Sequence, residues 1–156
     1  MNDPILGFNG EYRFLSNFWP SPVYLYKVKY DYVEEAYQAA KCVNPADRKL
    51  FHSGPFAAKK LSHKIATKPN WHDINLHVME NLVRQKWLQK DLLKLLLSTG
   101  DSYIEETNYW HDSYYGVCTC LKCKNIEGRN HLGKLHMKIR SELSNFGMCV
   151  FGVLNE

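Results

Sequence analysis

Residues 34–42 carry three polar side chains whose spacing suits acid–base chemistry. Glu34, Gln38 and Lys41 stand at positions i, i+4 and i+7, so they share one face of a helix. A carboxylate and an amine on a partly buried face shift each other's pKa, which is what proton transfer at a reacting centre requires. The alternative is the solvated Glu–Lys face of an ordinary helix, which the spacing alone favours.

Two later segments have the composition of binding loops. Residues 108–116 place Trp110, Asp112 and Tyr115 on backbone that the pattern predicts to be irregular. The same residues equally suit a loop that anchors aromatic side chains in the core. Residues 128–134 have glycines at the start of a predicted helix, where backbone N–H groups are able to face a phosphate.

The cysteines raise the question of a metal site. Cys120 and Cys123 form one C-x2-C pair, and Cys118 with His111 or His131 are candidates to complete it. A structural zinc site usually has a second distant pair, which this sequence lacks. We therefore predict reduced thiols, no metal and no cofactor. A zinc-containing nucleic-acid-binding module is the less favoured interpretation.

Length and composition exclude several classes of protein. The chain has 156 residues, 45% of them hydrophobic and 23% charged, which predicts one globular domain over residues 1–156. A net charge of +4 suits anionic ligands. The first residues have no basic start, and no stretch reaches the roughly 20 apolar residues that span a bilayer. We expect a cytoplasmic protein with no membrane partner.

The elements that must position these residues form a predicted α+β fold that is mainly helical. Residues 23–33 are rich in β-branched and aromatic types, which predicts a strand or hairpin. The predicted helices span residues 34–42, 55–66, 71–89, 91–98 and 130–143, and a last short strand spans 148–153.

The long third helix is predicted to begin at an Asn70 cap and to bury an apolar stripe. The members of that stripe recur at helical spacing and are Trp71, Ile74, Val78 and Leu82.

Taken together, these motifs resemble the NADAR family, also called the YbiA-like family, over nearly the whole chain. The stretches that carry the resemblance are residues 14–21, 33–41, 99–100, 110–112, 115–116 and 128–140. The family's usual histidine after the motif glutamate is Glu35 here, which gives Glu34 a neighbour of like charge. The resemblance implies a YbiA-like fold.

The resemblance also implies an N-glycosidase that hydrolyses the C1′–N bond of a phosphorylated N-riboside. The implied substrates are a riboflavin-pathway ribosylamino-pyrimidine phosphate or ADP-ribosylated guanine, so nucleic acid enters only as a modified substrate. A non-catalytic module that binds ADP-ribose or a nucleotide is the alternative.

Catalytic roles are expected for Glu34, Lys41 and Asp112. Two routes stay open, because water attack assisted by Glu34 or Asp112 and imine formation by Lys41 both suit such a bond. Substrate contacts are expected from the remaining motif residues, which are Arg13, Ser16, Asn17, Phe18, Gln38, Trp110, Tyr115, Asn130, Gly133 and Arg140.

Overall fold

The computed structural model describes the backbone of residues 2–153 and the side chains of residues 2–146. Helices dominate it, and every strand is two or three residues long, which confirms the predicted α+β class. In chain order the elements are β1 (Ile5–Leu6), β2 (Val23–Leu25), β3 (Val28–Tyr30), α1 (Val33–Ala40), α2 (Pro55–Ser62), α3 (Trp71–Trp87), α4 (Lys90–Ser98), β4 (Ile104–Glu105), β5 (Thr107–Asn108), β6 (Val117–Cys118) and α5 (His131–Val153). Two 3-10 helices, Gly10–Leu15 and Pro45–Leu50, were not predicted.

The chain forms two compact units. One comprises Ser16–Gln89, and the other combines the residues up to Leu15 with those from Lys90 onward. None of the helices in the described part of the chain has the length and apolar character to cross a membrane.

In the unit Ser16–Gln89, the predicted hairpin is confirmed. β2 and β3 pair antiparallel, with Val23 opposite Tyr30. The two residues at the tip, Tyr26 and Lys27, have φ of 49° and 68°. This left-handed pair matches the right-handed twist of the flanking strands, as in two-residue hairpins generally.

Helix α1 is buried along its whole length. Ala36, Ala39 and Ala40 have no exposed surface, and α1 packs against both α2 and α3. Its two acidic residues, Glu34 and Glu35, lie in the first turn, where the positive end of the helix dipole favours negative charge. The small residues therefore permit close packing, and the helix start holds the carboxylates.

The buried face of α3 differs from the prediction. Trp71 and Leu82 are buried as predicted, but Ile74 and Val78 are only half-buried, and the polar Asn75 and Lys86 are buried on the core-facing side. Asn70 makes no capping bond, because its backbone (φ −91°, ψ 17°) is not in the extended conformation of an N-cap. The buried residues of α3 are Trp71, Asn75, Met79, Leu82, Val83, Lys86 and Trp87.

Helix α2 ends at Ser62, four residues before its predicted end at 66. The chain after it forms a bridge instead, with Cys42 opposite Thr67. The Lys68 amide donates to the Lys41 carbonyl oxygen at 2.8 Å. These long-range bonds satisfy the backbone in place of a further helical turn.

The other unit contains two small parallel pairs of strands, β1 with β4 and β5 with β6. Ile5 lies opposite Ile104, and Asn108 lies opposite Cys118. The prediction of irregular backbone over residues 108–116 is confirmed, except that Asn108 lies in β5. The unit's core includes Leu15, Leu96, Ile104, Leu132 and Ile139.

The last helix, α5, is longer than predicted, and it replaces the strand predicted over residues 148–153. It begins at His131, as expected, but continues to Val153, so residues 148–153 are helical and not a strand. A helix satisfies its backbone hydrogen bonds locally, whereas a strand needs a free sheet edge. The β-forming residues near this end carry only a weak preference, which the growing helix overrides.

Candidate active site

The predicted polar face of α1 exists, and it is buried. Glu34 is 7% exposed and Gln38 is 4% exposed. Gln38 Nε2 donates to Glu34 Oε1 at 2.7 Å, and the Glu34 amide donates to the Asn17 carbonyl oxygen at 3.3 Å. The solvated alternative is therefore wrong, and the carboxylate is held in one place by its i+4 neighbour.

Lys41 lies at the C-terminal end of the same helix and is half-buried. Its Nζ is 5.4 Å from the ring centroid of Tyr37 and 5.9 Å from that of Trp71. Burial lowers the pKa of Lys41, and the neighbouring cation Lys59 lowers it further, while Glu34 opposes the shift. The Lys41 amine is thus easier to deprotonate than that of a solvated lysine.

Two buried oxygen atoms of this unit lack a hydrogen-bond donor. They are Asn17 Oδ1 and Gln38 Oε1, which have no partner among the described residues. Asn17 is 7% exposed, and its Nδ2 group donates to Met79 Sδ at 3.4 Å. A buried acceptor without a donor costs roughly 1–3 kcal/mol, so both atoms are suited to a ligand that brings hydroxyl or amino groups.

The segment that carries Asn17 is braced by local bonds. Ser16 Oγ accepts the amide of Phe18 at 3.0 Å, and the Phe18 side chain is 38% exposed. The Ser16 carbonyl oxygen accepts a bond from Lys86 Nζ at 2.8 Å. The predicted contacts Ser16, Asn17 and Phe18 thus lie on one fixed turn.

Lys86 is the feature of this unit that sequence reasoning missed. It has no exposed surface, and its Nζ is 4.7 Å from the centroid of the Trp87 ring. Burial lowers the pKa of Lys86 to about 7. Its position four residues after Leu82, on the buried face of α3, was the available signal.

Glu35 makes different contacts from Glu34, although the two are adjacent. Glu35 Oε1 accepts the Gly54 amide at 2.8 Å, and Oε2 accepts the Asp31 amide at 3.2 Å. Both oxygens therefore tie the ends of neighbouring loops to α1. The departure from the family's usual histidine places a backbone anchor at this position.

In the other unit, Asp112 organises its own loop. Asp112 Oδ1 accepts the amides of Tyr114 at 3.0 Å and Tyr115 at 2.9 Å. Asn108 Nδ2 donates to the Asp112 carbonyl oxygen at 2.7 Å, and Asn108 Oδ1 accepts the Asp112 amide at 3.2 Å. The second carboxylate oxygen, Oδ2, takes no part in these bonds.

Asn130 and Gly133 hold the entry to α5. Asn130 is 2% exposed and adopts the left-handed conformation, with φ of 49°. Its Nδ2 donates to the Ile104 carbonyl oxygen at 2.9 Å, and its Oδ1 accepts the Glu106 amide at 3.1 Å. A Cβ at Gly133 would collide with that same carbonyl oxygen. The left-handed backbone and the two side-chain hydrogen bonds explain the asparagine at 130, and the close approach of the Ile104 carbonyl oxygen explains the glycine at 133.

The two predicted arginines differ in environment. Arg140 is 8% exposed, and it donates to Thr99 Oγ1 and to the Ser102 carbonyl oxygen, each at 2.8 Å. Burial lowers the pKa of Arg140, and Asp101 opposes the shift. Arg13 is exposed on its 3-10 helix. Arg140 thus braces the turn after α4, and Arg13 is presented to solvent.

Two of the predicted substrate contacts, Trp110 and Tyr115, lie in the loop of Asp112. Trp110 is 49% exposed. Its ring packs edge-on against that of Tyr109, with the two ring centroids 5.3 Å apart. Tyr115 is half-buried and meets Tyr114 edge-on at 4.9 Å. The large accessible face of Trp110 suits contact with a planar ligand.

One cluster in the described part of the chain has the composition of a metal site. It consists of His111, Cys118, Cys120 and Cys123. Of the two histidines that the sequence offered, the structure brings His111 to the cysteines.

Helix α1 of this α+β fold carries the buried pair of Glu34 and Gln38, and its C-cap is Lys41, whose pKa is lowered. These groups are suited to acid–base or covalent catalysis. Comparison with known proteins gives the family. A model of the NADAR domain matches residues 7–144, so the chain belongs to the NADAR family, as its motifs predicted.

Named relatives and a solved structure agree with this assignment. An N-glycosidase of Nostoc punctiforme is 33% identical over 143 residues, covering 86% of this chain and 87% of that protein. A riboflavin biosynthesis protein of Vibrio vulnificus is 31% identical over 150 residues, covering 92% of this chain. The chain spans only 39% of the length of that relative. The NMR structure of the E. coli protein YbiA covers 95% of this chain and 89% of its own, with a TM-score of 0.79 and 26% identity.

These names support the predicted class of enzyme, an N-glycoside hydrolase. The similarity to YbiA also confirms the predicted YbiA-like fold.

Proposed function

We propose that this protein hydrolyses the C1′–N bond of a phosphorylated N-riboside, with Glu34 and Lys41 as its catalytic residues. The observation that carries the proposal is the polar face of α1. Its carboxylate is buried and fixed by Gln38, and its lysine has a pKa lowered by burial. Such a pair is costly to bury without a function.

Hydrolysis by direct water attack uses Glu34 in two ways. As the C1′–N bond breaks, its electron pair leaves with the nitrogen, which takes up a proton, and positive charge develops on the sugar. A buried carboxylate stabilises that charge. Water then bonds to C1′ and loses a proton to the carboxylate, which returns it to the solvent that protonated the leaving nitrogen. Asp112 is the second candidate base, through the Oδ2 that its loop bonds leave out.

The covalent route uses Lys41. Its free amine attacks C1′, and the leaving nitrogen departs with one of the two amine protons. The C1′–O4′ bond of the ribose then breaks, the ring oxygen takes up the other proton, and the opened sugar remains as an imine on Nζ. Water adds to the imine carbon and releases the amine, which restores the enzyme. The lowered pKa of Lys41 supports this route, because only the unprotonated amine carries the electron pair that attacks.

The unpartnered acceptors support a riboside as the substrate. Asn17 Oδ1 and Gln38 Oε1 need donors, and the hydroxyl groups of ribose supply them. Arg13, exposed on its 3-10 helix, is the candidate for the phosphate. The riboflavin-pathway ribosylamino-pyrimidine phosphates and ADP-ribosyl-guanine both have this chemistry.

Incubation with both substrate classes tests the proposal, with the released base identified by mass spectrometry. Glu34→Gln should fold and lose on the order of 100-fold in turnover, because it removes the negative charge and the proton acceptor. Glu80→Gln is the matched control, since Glu80 pairs with Arg84 at 2.7 Å on a different helix. Tight binding of ADP-ribose without turnover of any substrate would favour the non-catalytic module.

A further inference from the structure

Three thiols and an imidazole converge on one point in the loops after β5. The ligand atoms of His111, Cys118, Cys120 and Cys123 all lie within 4.8 Å of one another. His111 Nδ1 is 3.2 Å from Cys120 Sγ and 3.5 Å from Cys123 Sγ. All three cysteines are free of disulfides.

We propose that these four residues bind a structural zinc ion. Zinc in a tetrahedral site sits about 2.3 Å from sulfur and about 2.0 Å from nitrogen, which places neighbouring sulfur and nitrogen ligands about 3.5 Å apart. The two distances from His111 Nδ1 to the sulfur atoms of Cys120 and Cys123, 3.2 Å and 3.5 Å, are close to this ligand-to-ligand separation. Thiolate and imidazole donors select zinc over magnesium or calcium, which prefer oxygen. The proposal reverses our prediction of no metal from the sequence.

The backbone around the cluster is built to present these ligands. Cys118 is fixed by β6, where it lies opposite Asn108. The Cys123 amide donates to the Cys120 carbonyl oxygen at 3.0 Å, so a tight turn places their side chains together. His111 adopts the left-handed conformation, with φ of 70°, which costs a non-glycine residue about 1 kcal/mol or more. A bond from His111 to the ion would offset that cost.

The environment suits a bound ion with a route from solvent. Cys118 and Cys123 are each 5% exposed, whereas His111 is exposed and Cys120 is half-buried. Three thiolates, one neutral imidazole and Zn²⁺ leave a net charge of −1. Lys122 and Lys124, both exposed in the same turn, are positioned along the chain to balance it.

The function of this ion is structural because all four zinc positions are taken by protein ligands, which leaves none for a reactive water. His111 is the residue before Asp112, and Asp112 is bonded to Asn108 on the strand opposite Cys118. The ion would close a ring through both strands and fix the loop that carries Trp110 and Asp112. The zinc proposal stands on the geometry of these four residues and does not require the reaction proposed for Glu34 and Lys41.

Metal content and cobalt spectroscopy of the full-length, reduced protein test the site. Zinc analysis should find about one ion per chain, and Co²⁺ added to the apo protein should give the absorption bands of a tetrahedral thiolate site, which zinc then removes. Cys120→Ser should lose both signals. Cys42→Ser is the matched control and should keep them, because Cys42 is a free thiol outside the cluster.

His111→Cys keeps the test decisive if the serine variant fails to fold. It supplies a fourth thiolate, so it should retain metal and strengthen the sulfur-to-cobalt charge-transfer band relative to wild type. A folded wild-type protein that contains no zinc and gives no cobalt bands would overturn the proposal. An unchanged cobalt spectrum in folded Cys120→Ser or in His111→Cys would overturn it as well.

Discussion

Lys41 is the residue on which the two proposed routes differ. If its amine attacks C1′, borohydride added during turnover should trap a sugar adduct, and peptide mapping should place it on Lys41. Lys41→Arg should abolish the adduct and most of the turnover, because a guanidinium keeps the charge but holds no free electron pair at neutral pH. Lys60→Arg, at an exposed position of α2, is the control.

The pH dependence of turnover provides a second measurement of the same residue. Because burial lowers the pKa of Lys41 below 10.5, a route that needs the free amine should speed up as pH rises toward that lowered pKa. Turnover by Lys41→Arg without any adduct would leave Lys41 a binding role and favour water attack assisted by Glu34.

Glu34 and Glu35 are adjacent, yet their contacts predict opposite phenotypes. Glu35→Ala removes the acceptor of two backbone amides, so it should lower the free energy of unfolding by about 1–3 kcal/mol. Its folded fraction should keep turnover. Glu34→Ala should do the reverse, with a large loss of rate and a smaller loss of stability. Urea unfolding and rates per folded molecule distinguish the two, and matching phenotypes would contradict the assignment.

At the scale of the element, α3 carries the clearest pH-dependent stability. Burial lowers the pKa of Lys86 from 10.5 to about 7 in the folded protein, so between these values the unfolded chain binds more protons. Stability should therefore rise as pH increases from about 7 toward 10, by on the order of 1 kcal/mol per pH unit. The neutral amine still has an N–H to donate to Ser16.

Comparison with Lys86→Met isolates this contribution, because other groups also titrate in that range. Methionine has a similar length and no charge to desolvate. The difference in the free energy of unfolding between wild type and Lys86→Met should shift in favour of wild type as pH rises. Chemical denaturation at several pH values measures this difference. A difference that stays constant from pH 7 to 10 would show that burial does not lower the pKa of Lys86.

At the scale of the whole molecule, chain connectivity couples the two compact units. One unit is assembled from two segments, and the pairing of β1 with β4 must close the entire stretch Ser16–Gln89. Within that stretch, the bond from Lys86 to Ser16 holds its two ends together at 2.8 Å. Folding of the inserted stretch thus lowers the entropy cost of closing the loop.

We therefore expect the two units to unfold in one transition, which is also what the predicted single domain over residues 1–156 requires. In a Trp110→Phe variant, the remaining fluorescent tryptophans, Trp19, Trp71 and Trp87, all report on Ser16–Gln89. Amide exchange in α5 reports on the other unit. Coincident urea midpoints are expected, and clearly separate midpoints would divide the chain into two domains.

The sequence by itself determined the features that depend on local spacing. The polar face of α1 follows from the i, i+4, i+7 positions of Glu34, Gln38 and Lys41, and the hairpin of 23–33 follows from its strand-forming residues. Helical periodicity and turn chemistry act over a few residues, so they are readable along the chain. The ordered motifs likewise identified the family.

Only the tertiary structure decided which polar groups lose their water and which distant groups meet. The spacing favoured a solvated Glu34, while the packing of α1 buries it. Glu35 finds its amide donors at Asp31 and Gly54, and His111 meets three cysteines through a left-handed turn. Burial and long-range hydrogen bonds depend on how the elements pack, so no local pattern along the chain encodes them. The reason is that the free energies of desolvation and of pairing arise only when the chain is folded.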